Sequence, residues 1–386
     1  MKPAQWETVG ETGLPNGVTI GAVPAGWLPA ARNAGFHYRD RVDVATASTT
    51  AFYAARHPHS SLAVWQRRLS AGEIWRNGQL LTADGPLGPG DQLIWRRPPW
   101  REAAVPAAWR VLHDDGDLLV MDKPAGLPVL PAGGWLEHTV LRLLERRHGG
   151  DPRGVPRPVH RLGRFTSGLL VCARQRATRR WLSARLREST AALEGPHDTG
   201  PADALEGDPG LGPEAQAKTM APPWCHKVYV ALLVPGALTA ALAPGEGLTI
   251  QTAIGRRPHG RLGLIWCAAR EERPGDLPAR STLTLLAREP EGDRVEMAIT
   301  SGRPHQIRIH CAAIGAPLLG DPLYLPGGLA RDDSLPGDGG YQLRAQRLEL
   351  AAPDGSWLRL EAGANGDHGV RPCPDSSRPA AWTMPG

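Results

Sequence analysis

The chain has 386 residues, 44 basic against 39 acidic for a net charge of +5, with 41% hydrophobic and 22% charged side chains. That length allows a large buried core in two or three domains, while 46 Gly and 38 Pro impose many loops. Collagen-like, coiled-coil and membrane-spanning classes are excluded, because no Gly-X-Y period or sustained heptad occurs and the longest apolar stretch, Val228 to Pro244, is broken by Pro235 and Gly236.

In chain order, residues 1–35 are rich in Gly and Pro and read as irregular. From Phe36 the pattern tightens. Ser60 and Ser61 can cap a helix whose apolar positions Leu62, Trp65 and Leu69 recur at helical spacing, with Gly72 as its stop. Ile74 to Arg76 and Gln79 to Leu81 flank Asn77-Gly78, a strong two-residue hairpin signal, and a further strand covers Gln92 to Arg96. Between Ala51 and Arg101 seven Arg face only Glu73, Asp84 and Asp91. A small basic helix-hairpin module over residues 36–100 suits RNA backbone binding, and a plain packing role fits the same facts.

Pro98 to Pro106 reads as a linker into a second unit over residues 101–362. It opens with the buried-strand run Leu118 to Met121 and the turn Lys123-Pro124-Ala125-Gly126. Gly154 to Arg187 holds nine Arg and no Asp or Glu, a run that attracts phosphate and also fits a solvated helix face. Glu188 to Pro223 has little apolar content and reads as a mobile insertion. Lys227 to Val234 and Val295 to Thr300 read as strands, Arg303 to Ala313 as a short helix ending at Gly315, and residues 363–386 as a disordered tail.

The five cysteines are scattered without C-x-x-C, so neither a disulfide framework nor a zinc knuckle is expected. The N-terminus lacks the apolar core of a signal peptide, and with these scattered cysteines a cytoplasmic protein is the expectation. There is no phosphate-binding G-x-x-x-x-G-K-[ST], dinucleotide G-x-G-x-x-G, H-E-x-x-H or G-x-S-x-G, so nucleotide hydrolysis, dinucleotide redox chemistry and zinc proteolysis lose support. The thirteen His include the pairs His57 and His59, and His305 and His310, without neighbouring carboxylates or thiolates at ligand spacing, so no metal is expected.

One extended constellation remains. His160-Arg161-Leu162-Gly163-Arg164-Phe165-Thr166-Ser167-Gly168 forms a basic loop that leads into the strand Leu169 to Ala173. It is followed by Lys227-Val228-Tyr229, by Gly302-Arg303-Pro304-His305-Gln306-Ile307-Arg308, and by Gly320-Asp321-Pro322-Leu323-Tyr324. Together with the strand and K-P-A-G turn, these segments resemble the RluA family of RNA pseudouridine synthases, in family order, over roughly Leu112 to Leu350.

The resemblance implies an α+β fold: a small N-terminal basic helix-hairpin module followed by a catalytic domain whose mixed, largely antiparallel central sheet is flanked by helices. It implies isomerisation of uridine to pseudouridine in ribosomal or transfer RNA by a monomeric enzyme without cofactor or metal. In such enzymes the Arg of H-R-L helps displace the target base, here Arg161, and the Tyr of K-x-Y packs on the uracil and assists proton removal from C5, here Tyr229. The last Arg of H-Q-I-R pairs with the catalytic carboxylate, here Arg308. His160, Arg164, Thr166, Arg303 and His305 lie in the same motifs and are candidate RNA contacts.

The family's catalytic Asp follows H-R-L, and this chain has Gly163 there. Glycine supplies no base, nucleophile or negative charge for an oxocarbenium-like sugar, and Arg308 is left without that partner. Three readings follow. Another carboxylate serves, with Asp122 and Asp321 as candidates; or the protein is a catalytically silent RNA binder; or it is a small-molecule hydrolase built on Ser167, His160 and an Asp.

Overall fold

A computed structural model describes residues 28–57, 59–191, 225–299, 301–351, 357–362 and 369–372. The first elements are β1 (Phe36–Arg41), α1 (Thr49–Arg56), α2 (Leu62–Ser70), β2 (Ile74–Arg76), β3 (Gln79–Leu80) and β4 (Gln92–Arg97). Their strands form a sheet of order β1-β4-β2-β3. Asn77 and Gly78 take φ of 49° and 84°, the left-handed pair that a two-residue hairpin turn needs, and the Asn77 side chain locks the turn by bonding Asp91 and the Gln92 N–H. The helices close over the sheet through stacked Tyr53 and Trp65, with Ile74, Leu93 and Trp95 beneath them. Ser61 is the N-cap of α2 but makes no side-chain cap bond, whereas Ser48 caps α1 by accepting the Ala51 N–H.

The segment between this sheet and the next is tied down. The Glu102 carboxylate, 3% exposed, accepts the N–H groups of Leu136, Glu137 and His138 and the Asn33 side-chain amide. Burial opposes this charge, but the four donors outweigh burial and hold the carboxyl below its ordinary range.

The second body contains β5 (Arg110–Asp114), β6 (Leu118–Lys123), α3 (Val140–His148), β7 (Arg157–Pro158), β8 (Thr166–Ala173), α4 (Arg176–Ala191), β9 (Cys225–Leu233), α5 (Ala237–Ala240), β10 (Gly247–Ile250), β11 (Ile254–His259) and β12 (Gly263–Ala268). It continues with β13 (Ser281–Glu289), β14 (Gly292–Ile299), α6 (Gln306–Ala313), β15 (Tyr324–Leu325), β16 (Leu329–Ala330), β17 (Leu343–Ala351), β18 (Trp357–Glu361) and β19 (Gly369–Pro372). The large sheet runs β10-β13-β14-β9-β17-β8-β6-β5, with β7, β18 and β19 attached. Among the described residues its pairings are antiparallel except for β8 against β17, so the sheet is mixed and largely antiparallel, as the resemblance implied. β6 and β8 read as continuous apolar runs because both of their faces are covered, by α3 and α4 among others.

The parallel pair sets the geometry of the site. Leu343 lies opposite Thr166 and Ala345 opposite Gly168, so the residues just before each strand, Tyr341 and Gly163, come together. Gly168 has φ of 96°, and a Cβ there would run into the Ala345 carbonyl, so only glycine allows the two backbones this close.

Three expectations are corrected. The helix read from Arg303 begins at Gln306, because His305 takes a left-handed φ of 54°. α4 continues through Ala191, into the segment read as an insertion from Glu188; the rest of that segment lies outside the described residues. Within the stretch read as a disordered tail, Gly369–Pro372 form β19 and pair with β18.

Candidate active site

The H-R-L-G-R-F-T loop is held from both ends. His160 Nε2 accepts the Val171 N–H at 3.1 Å, which fixes the loop entry to β8. Burial, with the Lys227 charge behind it, pushes the His160 pKa down to about 4, so the ring stays neutral and keeps this acceptor. On the far side Lys123, wholly buried, donates through Nζ to the carbonyls of Pro124, Leu127 and Arg164 at 2.8, 2.8 and 3.1 Å. The K-P-A-G turn is thus a clamp on the loop, reinforced where Arg164 Nε donates to the Gly126 carbonyl. The Arg164 guanidinium also stacks over Trp135 at 4.0 Å and reaches the Gly337 carbonyl.

Between the clamp points Arg161 is exposed, Leu162 turns into the core and Gly163 is exposed. Thr166 is buried, with its hydroxyl 3.4 Å from that of Tyr341. Tyr341 is 3% exposed and lies against Gly163, where a side chain's first carbon would overlap its hydroxyl.

α6 supplies the opposite wall. Arg308 donates from Nε and Nη2 to the two carboxylate oxygens of Asp321, both at 2.7 Å, and from Nη1 to the Pro336 carbonyl. The Arg308 and Asp321 side chains are 4% and 0% exposed. Arg308 therefore has a full partner, correcting the expectation that it lacks one. Its guanidinium also lies over the rings of Tyr341 and Tyr324, at 4.3 and 5.0 Å. Asp321 accepts the Leu323 and Tyr324 N–H groups as well, so the G-D-P-L-Y turn exists to aim this carboxylate at Arg308.

His305 bonds the Tyr324 hydroxyl at 2.7 Å, and that hydroxyl donates to the Trp266 carbonyl. Burial first, then the Arg308 charge, pushes the His305 pKa down to about 3. Arg303 is buried and donates from Nε to the Pro278 carbonyl, away from this group. Tyr229, on β9 opposite Ala345, sits at the seam of the two core clusters that flank the central sheet, and burial raises its phenol pKa.

Of the residues singled out in the sequence, the structure thus brings Gly163, Thr166 and Arg308 to Tyr341, with Asp321 bonded to Arg308, His305 to Tyr324, and Arg161 exposed on the loop. His160, Arg164 and Arg303 serve the surrounding backbone. Asp122 points away: Lys123 reaches the loop, and alternation along β6 sends Asp122 to the other face, where Arg344 holds it with bonds of 2.9 and 3.0 Å. Tyr341 was not visible as a site residue, because no motif surrounds it; only the parallel pairing of β8 and β17 brings it to Gly163.

Among the described residues no cluster of three or more His, Cys, Asp or Glu is placed to hold a metal ion, and no helix is long and apolar enough to cross a membrane.

The family model for RNA pseudouridylate synthase matches residues 117–192, which include the loop and β8. An uncharacterized RNA pseudouridine synthase of Synechocystis is 38% identical over 299 residues, 77% of this chain and 87% of that protein. RNA pseudouridine synthase 5 of Arabidopsis thaliana is 32% identical over 356 residues, 82% of this chain and 89% of that one. Ribosomal large subunit pseudouridine synthase D of Neisseria meningitidis is 28% identical, covering 75% and 70%. With such identity running through most of both chains, the chain belongs to the RluA family of RNA pseudouridine synthases.

Proposed function

We propose that the protein isomerises uridine to pseudouridine in structured RNA, and that its substrate is ribosomal RNA. The observation that supports this is the buried Arg308–Asp321 pair lying against Tyr341, beside the H-R-L-G-R-F-T loop that carries Arg161, in a chain of this family. The reaction breaks the bond from uracil N1 to the ribose and joins uracil C5 to the same carbon. A uridine in folded RNA must first leave its stack, at a cost of a few kcal/mol.

Each residue has a physical part in this reading. Arg161, exposed beside the loop, is free to take the place of the displaced base or to hold a phosphate. Tyr229 offers a rigid apolar face for the uracil. Arg308, fixed by Asp321, holds its guanidinium over the ring of Tyr341, the residue that meets the loop at Gly163. The name of the Neisseria relative supports ribosomal RNA as the substrate class. We place this work in the cytoplasm and assign it to a monomer.

The test is tritium release from RNA labelled at uracil C5, using RNA from cells lacking the gene. Release, with pseudouridine found in the digested ribosomal RNA, is the expected result. Salt-dependent RNA binding without release overturns the enzymatic reading in favour of an RNA binder, which the absence of a side chain at Gly163 would then explain.

A further inference from the structure

Position 163 sets a chemical question that the surrounding atoms answer. Breaking a glycosidic bond calls for a group that attacks the sugar or takes a proton from it. The two carboxylates nearest in sequence pattern cannot do this. Both Asp321 oxygens are held by Arg308 and the side chain is fully buried, and Asp122 faces the other side of the sheet in the grip of Arg344. The Tyr324 hydroxyl is engaged by His305 and the Trp266 carbonyl.

The Tyr341 hydroxyl is placed differently. It occupies the space that a side chain on Gly163 would enter, and the described contact to it is a loose 3.4 Å approach from Thr166. Gly163 does not have a left-handed φ, so its backbone would accept any residue; what keeps it a glycine is the phenol beside it. Tyr341 itself is 3% exposed, and since residue 163 is exposed and has no side chain, no Cβ stands between the loop surface and the hydroxyl beneath it. The Arg308 guanidinium, paired with Asp321, lies 4.3 Å over the Tyr341 ring and fixes its face.

Resting on the synthase reading above, we infer that Tyr341 is the catalytic residue at the sugar, a phenol in the place of the family's carboxylate. The Tyr341 oxygen bonds to C1′ of the flipped uridine as the C1′–N1 bond breaks. The electron pair of that bond leaves with uracil, which takes the phenolic proton and becomes neutral at N1. After uracil turns, its C5 forms a bond to C1′ while the C1′–oxygen bond to Tyr341 breaks and returns its pair to the phenolate. The phenolate then removes the C5 proton. One proton is gained at N1 and one lost at C5, so uridine becomes pseudouridine with Tyr341 restored and no oxidant or cofactor consumed. A tyrosine acting as nucleophile at a sugar has precedent among glycoside-cleaving enzymes.

The test uses the full chain in single-turnover tritium release, with RNA affinity and melting temperature measured in parallel. Tyr341→Phe keeps the ring and its packing, and is expected to lose at least about a hundredfold in rate with RNA affinity and melting temperature unchanged. The double variant G163D/Y341F places a carboxylate where the hydroxyl was; the ring carbon that bore that hydroxyl lies 3.6 Å from the new first carbon, the Thr166 hydroxyl at 3.2 Å has to give by a few tenths of an ångström, and release is expected to return. A Tyr341→Phe enzyme that keeps its rate within about threefold overturns the assignment while leaving the synthase reading intact. A dead Tyr341→Phe that the double variant fails to revive, both being folded, overturns the exchange of phenol for carboxylate. Absence of release by the unaltered protein overturns the synthase reading itself, and this assignment with it.

Discussion

Arg308 on α6 and Asp321 in the following turn form two parallel hydrogen bonds of 2.7 Å while both side chains are almost completely buried. Such a pair contributes little net stability compared with an apolar pair, but breaking one half strands the other charge. The Asp321→Asn variant is therefore expected to lose about 3–5 kcal/mol of unfolding free energy, read from urea denaturation. A loss below about 1 kcal/mol, the scale of exposed pairs, contradicts the geometry.

Acid should destabilise the fold through buried histidines. Burial pushes His160 and His310 down to about 4, and both rings accept or donate bonds inside the protein: His160 to the Val171 N–H, His310 to Ser281 and the Thr252 carbonyl. Their pKa values are lower folded than unfolded, so the unfolded chain binds more protons between the folded values and the ordinary value of about 6.5. Stability is constant above that window on their account and falls as pH drops from about 6.5 to about 4, by a few kcal/mol per residue. Melting temperatures across that range check this, and the His310→Gln variant should flatten the decline.

Lys123 holds the loop by three carbonyl oxygens. Lys123→Met keeps the stem but removes the Nζ donor from all three oxygens, leaving the Arg164 carbonyl with the Gly126 N–H alone, at a cost of about 3 kcal/mol or more, and lets the backbone at Arg164 drift. Hydrogen exchange at Gly126, whose N–H donates to the same Arg164 carbonyl at 2.8 Å, should quicken in this variant. Unchanged exchange there is evidence against the clamp.

Arg161 is exposed, and in the proposed reading it makes its contribution to RNA rather than to the fold. Arg161→Ala should leave the melting temperature within about 1 °C, weaken RNA binding and lower the slope of log affinity against log salt by about 1 if the side chain meets a phosphate. A slope identical to that of the unaltered protein, with full activity, would falsify the placement of Arg161 at the RNA.

The local parts of this protein were legible in the sequence because their causes are local. Asn77-Gly78 must turn left-handed whatever surrounds it, Ser61 and Gly72 bracket an apolar helical stripe, and the motif segments occur in family order with their spacing intact. The family and its mixed sheet followed from these. The start of α6 did not, because His305 adopts its left-handed backbone where it meets the Tyr324 hydroxyl, a contact made across the fold.

The composition of the site was decided by tertiary structure alone. Sequence named Gly163 as a gap and Asp122 and Asp321 as possible replacements, but could not tell which face of β6 Asp122 takes, or that Asp321 closes on Arg308. Nor could it place Tyr341 beside Gly163, since that meeting depends on the parallel register of β8 and β17, a long-range pairing fixed by how the whole sheet packs. The sequence by itself determined which residue types were present and the elements that carry them; the sheet decided which of them touch.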